Sequence, residues 1–204
     1  MTLHPDAVCK YLLKEYKMPE DWFNDIFQKQ RKLQDFISNK RNSVRIPQEN
    51  ILKSEHIYES FYHYTCMIME TKEMETAPNE IEKDFEYIDV LFFLCNIGIY
   101  AGVKKVFYID DTQADLVEHL YEMFNDTILE FLDTLPFKKW KTYKEDAYNT
   151  DNIALEKFNK ALNYWIAYGI YVEGYSEQYI YNLYCSKLEE NQNRQIDKSK
   201  GYIG

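Results

Sequence analysis

Apolar residues recur along most of this chain three and four positions apart, the period of an amphipathic helix. The pattern predicts helices over residues 7–16, 20–39, 55–75, 79–100, 113–132, 153–172 and 176–190. Residues 41–48 are polar, contain Pro47 and read as a loop. Thr76-Ala77-Pro78-Asn79 breaks the chain between two helices, and Asn79 is a good N-cap with Glu82 three residues on, in the manner of a capping box. Ser176 caps the last predicted helix. Only residues 103–109 (VKKVFYI) offer a strand candidate, and no stretch alternates long enough to demand a sheet. The expected fold is all-α, a single helical-bundle domain over 1–204, with 103–152 as an inserted subregion.

Two of these helices carry acids where their apolar pattern leaves little room for charge. Glu70 and Glu73 are spaced i, i+3, and so are Glu86 and Asp89, which puts each pair on one helix face. Asp89 borders the apolar stripe formed by Ile81, Phe85, Ile88, Phe92 and Cys95. A carboxylate buried there is costly unless it is paired or binds a metal. Packed side by side, the two helices would gather four carboxylates, a donor set suited to Mg²⁺ and, through it, to phosphate chemistry. A solvated acidic face explains the same spacing and stays open at this point. A carboxylate di-iron site ranks lower, because such sites use Glu-x-x-His on two helices and neither pair has the His.

Composition narrows the classes. The 204 residues include few Gly (6) and Pro (5), in keeping with long helices, and the net charge is −10. So acidic a chain is repelled by a phosphate backbone, and nucleic acid is not expected as a partner. The four cysteines, Cys9, Cys66, Cys95 and Cys185, form no Cys-x-x-Cys pair, which fits a reducing compartment. The N-terminus lacks the pattern of a signal peptide, and the longest apolar run is too short to span a membrane. The expected compartment is the cytoplasm.

Four segments taken in order resemble the dimeric, all-α dUTPase family of bacteria and their phages, relatives of the MazG-type pyrophosphohydrolases. They are Gln30-Arg-Lys-Leu33-Gln34-Asp-Phe-Ile37, Met69-Glu70-Thr-Lys-Glu73, Glu86-Tyr-Ile-Asp89-Val-Leu-Phe-Phe93-Leu-Cys-Asn96-Ile-Gly98, and Tyr184-Cys-Ser-Lys187-Leu-Glu-Glu-Asn191-Gln-Asn-Arg194-Gln195 with Gly201-Tyr202 after it. A Lys-x-Trp-Lys element at Lys138 to Lys141 is similar as well. The resemblance implies a helical NTP pyrophosphohydrolase fold and Mg²⁺-dependent hydrolysis of dUTP to dUMP and pyrophosphate. It implies that Glu70, Glu73, Glu86 and Asp89 hold Mg²⁺, and that Glu70 or Glu73 directs the attacking water. Gln30 and Gln34 would meet the base edge, Phe93 would stack on the ring, and Asn96 would also bind the substrate. Lys187, Asn191 and Arg194 would hold sugar and phosphates, and the tail with Tyr202 would close over them. It further implies a homodimer, and a bacterial host cytoplasm for a phage-encoded chain.

The sequence departs from the pattern at Phe92, where the family has His, and at Gln34, where it has Asp or Asn. Both changes fall on the base site. A related dNTP or dNDP pyrophosphohydrolase that prefers another nucleotide, such as dCTP or dUDP, therefore remains an alternative. So does a protein-binding regulatory module on the same scaffold, with 103–152 as the surface for a protein regulator.

Overall fold

The computed structural model describes residues 14–47, 51–109, 114–135, 148–149 and 152–196. The chain is all-α. Its helices are α1 (Trp22–Arg41), α2 (Ser54–Glu75), α3 (Glu80–Tyr100), α4 (Leu120–Thr134), α5 (Asn152–Tyr171) and α6 (Glu177–Ile196). Two-residue strands β1 (Ile51–Leu52) and β2 (Tyr148–Asn149) pair antiparallel, with Ile51 opposite Asn149 and Leu52 opposite Tyr148. The expected helix over 7–16 falls mostly outside the described residues. Its described end is not helical: Tyr16 N donates to Asn182 Oδ1 at 3.1 Å and Tyr16 O accepts from Gln178, which docks this segment on α6.

The most apolar helix, α3, lies at the centre, its second half buried almost without interruption. Its start is fixed locally. Asn79 Oδ1 accepts from Glu82 N at 3.0 Å, while Asn79 Nδ2 donates to Glu82 Oε1 at 3.1 Å. Its end is a Schellman turn. Gly102 takes φ 81°, its N–H reaches Ile99 O, and Val103 N donates to Gly98 O at 2.9 Å. The turn at 76–79 folds α2 back along α3, so Ser60 Oγ reaches Ile97 O while the acids at 70–73 face those at 86–89. On the opposite side α3 crosses α5. There Tyr87 stacks on Trp165 at 5.0 Å, and a Cβ on Gly98 would overlap the Phe158 ring.

The strand candidate at 103–109 is extended but belongs to no sheet. Side chains serve as its hydrogen-bonding partner. Asn159 donates to Phe107 O and accepts from Phe107 N, and Asn163 does the same for Phe107 O and Ile109 N. Gln28 and Arg31 of α1 donate to Lys104 O and Val103 O. Backbone groups need partners, and here two helices supply them. The helix expected over 113–132 begins as a 3-10 turn, Ala114–His119, and continues as α4 to Thr134. Phe124 and Phe131 of α4 pack on Trp165 and Phe158 of α5, at ring distances of 4.9 and 5.1 Å. Part of the 103–152 segment is therefore core. Lys138 to Lys141, Tyr202 and Cys9 lie outside the described residues. Cys66, Cys95 and Cys185 are free thiols. Among the described residues, no helix is long and apolar enough to cross a membrane.

Candidate active site

The α2–α3 hairpin decides which acids meet. One carboxylate oxygen each from Glu70, Glu73 and Glu86 lie within 4.8 Å of one another. Such a group resists full ionisation. Burial, the nearby Asp89 and a hydrogen bond to Glu86 push the Glu70 carboxyl up to about 8. Burial raises Glu86 as well, although that hydrogen bond opposes it. At neutral pH the metal-free cluster therefore keeps a proton between Glu70 and Glu86. Converging hard oxygen donors that repel one another could hold a divalent cation such as Mg²⁺, which would replace that proton.

Asp89 stands apart from these three. Its Oδ2 accepts from Lys187 Nζ of α6 at 2.7 Å, and both side chains are largely covered, 21% and 12% exposed. Burial raises Asp89, with the Lys187 ammonium opposing the shift. Burial pulls Lys187 down, but Asp89 and Glu190 outweigh it and leave the ammonium above its ordinary range. The protein neutralises this acid itself.

A cleft of about 160 Å³ opens beside the pair. Its walls include Glu70, Asp89, Gln34, Phe93, Asn96, Lys187, Asn191 and Arg194, so α1, α2, α3 and α6 all contribute. Three signals set its shape. Phe93 is half-buried, its ring 5.8 Å from that of His63. Arg194 is held by Glu190, one turn earlier on α6. Gln34 lines the wall with an amide that makes no hydrogen bond to the described residues.

Gln30 lines the cleft as well, although it is only 1% exposed. Its Nε2 donates to Asn96 Oδ1 at 2.8 Å, and its Oε1 accepts from Tyr184 OH at 2.9 Å. The wholly buried Tyr184 hydroxyl has that one acceptor, which fixes the direction of both amides. Reversing them would strand a buried O–H, at a cost of about 1–3 kcal/mol. Asn96 lines the cleft, and its amide nitrogen is left as a donor without a partner among the described residues.

Leu33, Ile37, Phe92 and Gln195 also line the cleft. All four lie in the segments quoted for the resemblance, but sequence reasoning names none of them as a site residue. Leu33 and Ile37 carry no chemistry that would single them out, and Phe92, a departure from the family pattern, is stacked on Tyr184 at 4.6 Å. A larger and more open hollow of about 770 Å³ lies between the 42–47 loop and the start of α2. Its lining mixes Arg45 and Lys53 with Glu55 and Glu59, without a converging group of one sign. Of these two the smaller cleft is the better candidate, because Glu70 of the carboxylate cluster lines it.

No protein-family model matches the chain, and neither a curated protein nor a solved structure does.

Proposed function

We propose that this chain is a Mg²⁺-dependent nucleoside triphosphate pyrophosphohydrolase of the helical kind, acting on dUTP to give dUMP and pyrophosphate. The observation that carries the reading is the adjacency of three carboxylates without a cation to a cleft lined by amides, an aromatic ring, Lys187 and Arg194. The cleft is smaller than the roughly 300–1,000 Å³ of pockets that enclose a whole ligand. It has room for a base, with the phosphates outside it over the acids.

Glu70, Glu73 and Glu86 would hold Mg²⁺, with Asp89 beside them. Bound there, the cation supplies charge for the phosphoryl oxygens and lowers the pKa of a water molecule. Glu70 or Glu73 would accept the proton of the attacking water, since both carboxylates belong to the cluster that would hold the cation. Arg194 offers a forked donor set to phosphate oxygens, and Asn191 bonds the sugar or phosphate. Lys187, steadied by Asp89, presents positive charge at the cleft wall. Phe93 stacks on the base, and Gln34 and Asn96 read its edge.

A homodimer belongs to the same proposal. Tyr58, Tyr62 and Met69 are 54%, 62% and 58% exposed and recur on one face of α2, alongside Glu73. A second copy seated on that face would border the carboxylates. The test is incubation of the purified protein with each dNTP, with and without Mg²⁺, reading monophosphate and pyrophosphate, with Glu73→Gln alongside. Mg²⁺-dependent turnover of dUTP, lost in the variant, is expected. Turnover of none of the four by a folded protein would overturn the reading.

A further inference from the structure

The base-facing end of the cleft is organised by a group that never touches it. Tyr184 of α6 is fully buried under Phe92 and donates to Gln30, which donates to Asn96. Each amide in this line has its oxygen used as an acceptor inside the protein. The line therefore ends on the Asn96 amide nitrogen, whose two hydrogens have no partner among the described residues.

The placement of Asn96 says which ligand atom it meets. Asp89, Phe93 and Asn96 follow one another along α3, and Asp89 and Asn96 are about 10 Å apart along the axis at 1.5 Å per residue. The charged groups lie at one end of that row and the relay at the other. A pyrimidine nucleotide with its phosphates over the acids and its ring on Phe93 reaches inward with the atom farthest from the sugar. That atom is the substituent at ring position 4, across the ring from the glycosidic nitrogen. It is an acceptor oxygen in uracil and thymine and a donor amino group in cytosine.

We propose that the Tyr184–Gln30–Asn96 relay is the base-selecting device of the cleft: it locks Asn96 as a donor, so the site takes 4-keto pyrimidines and refuses 4-amino ones. The proposal rests on the nucleotide reading above and adds Tyr184 to it as a positioning residue. Removing the Tyr184 hydroxyl removes the one group among the described residues that fixes the amide direction. Both amides can then turn over, and Asn96 can offer its oxygen to a cytosine amino group.

The test reads binding, so that it does not depend on catalysis. dUMP and dCMP are titrated calorimetrically into wild type, Tyr184→Phe and Asn96→Asp, each checked for a native melting transition. Wild type is expected to favour dUMP by at least about tenfold, because a mismatched buried donor leaves two polar groups unpaired. Tyr184→Phe brings the ratio to within about threefold, mainly through tighter dCMP, which a merely structural role would not produce. Asn96→Asp keeps the Gln30 bond, presents an acceptor and reverses the preference; it decides the matter if Tyr184→Phe does not fold. Equal binding of both nucleotides by wild type overturns this proposal alone. So does an unchanged ratio in a folded Tyr184→Phe or Asn96→Asp. Binding of neither nucleotide by wild type overturns it together with the nucleotide reading.

Discussion

Two acidic groups on the same helix hairpin meet opposite fates. Asp89 has Lys187 at 2.7 Å, brought in by α6, and is neutralised within the fold. Glu70, Glu73 and Glu86, one turn nearer the interhelix turn, have one another and no described cation within ion-pair distance. The first arrangement contributes to stability and costs energy to break. The second costs stability as it stands, and under the proposed function a bound cation would offset that cost. What separates structure from function here is the partner of each carboxylate and not its spacing, which is i, i+3 in both helices.

The largest break in that comparison is catalytic. Glu70→Gln or Glu86→Gln is expected to lower kcat for dUTP by about 10³-fold or more, measured as pyrophosphate released. Next in size is the neutral pair. Lys187→Met leaves Asp89 covered and uncompensated, which should cost about 3 kcal/mol in urea unfolding, and Asp89→Asn added to it should restore most of the loss.

A smaller effect comes from the far end of the hairpin. Burial holds His63 down at about 4, below its unfolded value near 6.5, and its ring stacks on Tyr100 at 5.4 Å. A histidine depressed in the folded state binds its proton more readily when unfolded. Its contribution is therefore intact above about pH 6.5 and is lost as pH falls toward 4. From pH 7.5 to 5 that loss amounts to about 2 kcal/mol, and His63→Phe should flatten this limb of the urea stability profile. The smallest effect has the opposite sign to the Lys187 variant. At pH 8.5 without metal, Glu70→Gln relieves repulsion and should stabilise the fold by roughly 1 kcal/mol. Added Mg²⁺ should then raise the melting temperature of the wild type and leave that of the variant unmoved.

The parts legible in the sequence are those decided by neighbours along the chain. Asn79 and Ser176 announce helix starts through side-chain bonds three residues long, and the period of α3 marks it as central. The acids at 70, 73 and 86 share a face through helical spacing and a short turn. What could not be read depends on distant groups. The 103–109 segment is the best strand candidate on its apolar and aromatic residues; it is extended, but its partners are Asn159 and Asn163, more than 50 positions away on a helix. The Asp89–Lys187 pair spans 98 positions, and the direction of the Asn96 amide is set by Tyr184 on another helix. Spacing shows which residues share a face. It does not show which of them the fold has already satisfied.

Calorimetric titration of Mg²⁺ into metal-free wild type, Glu70→Gln and Glu86→Gln tests the central claim most directly. The account predicts binding by the wild type, released protons that change the observed heat between buffers of different ionisation enthalpy, and at least about tenfold weaker binding in each variant. Equal Mg²⁺ binding by all three, or none by the wild type, would contradict it.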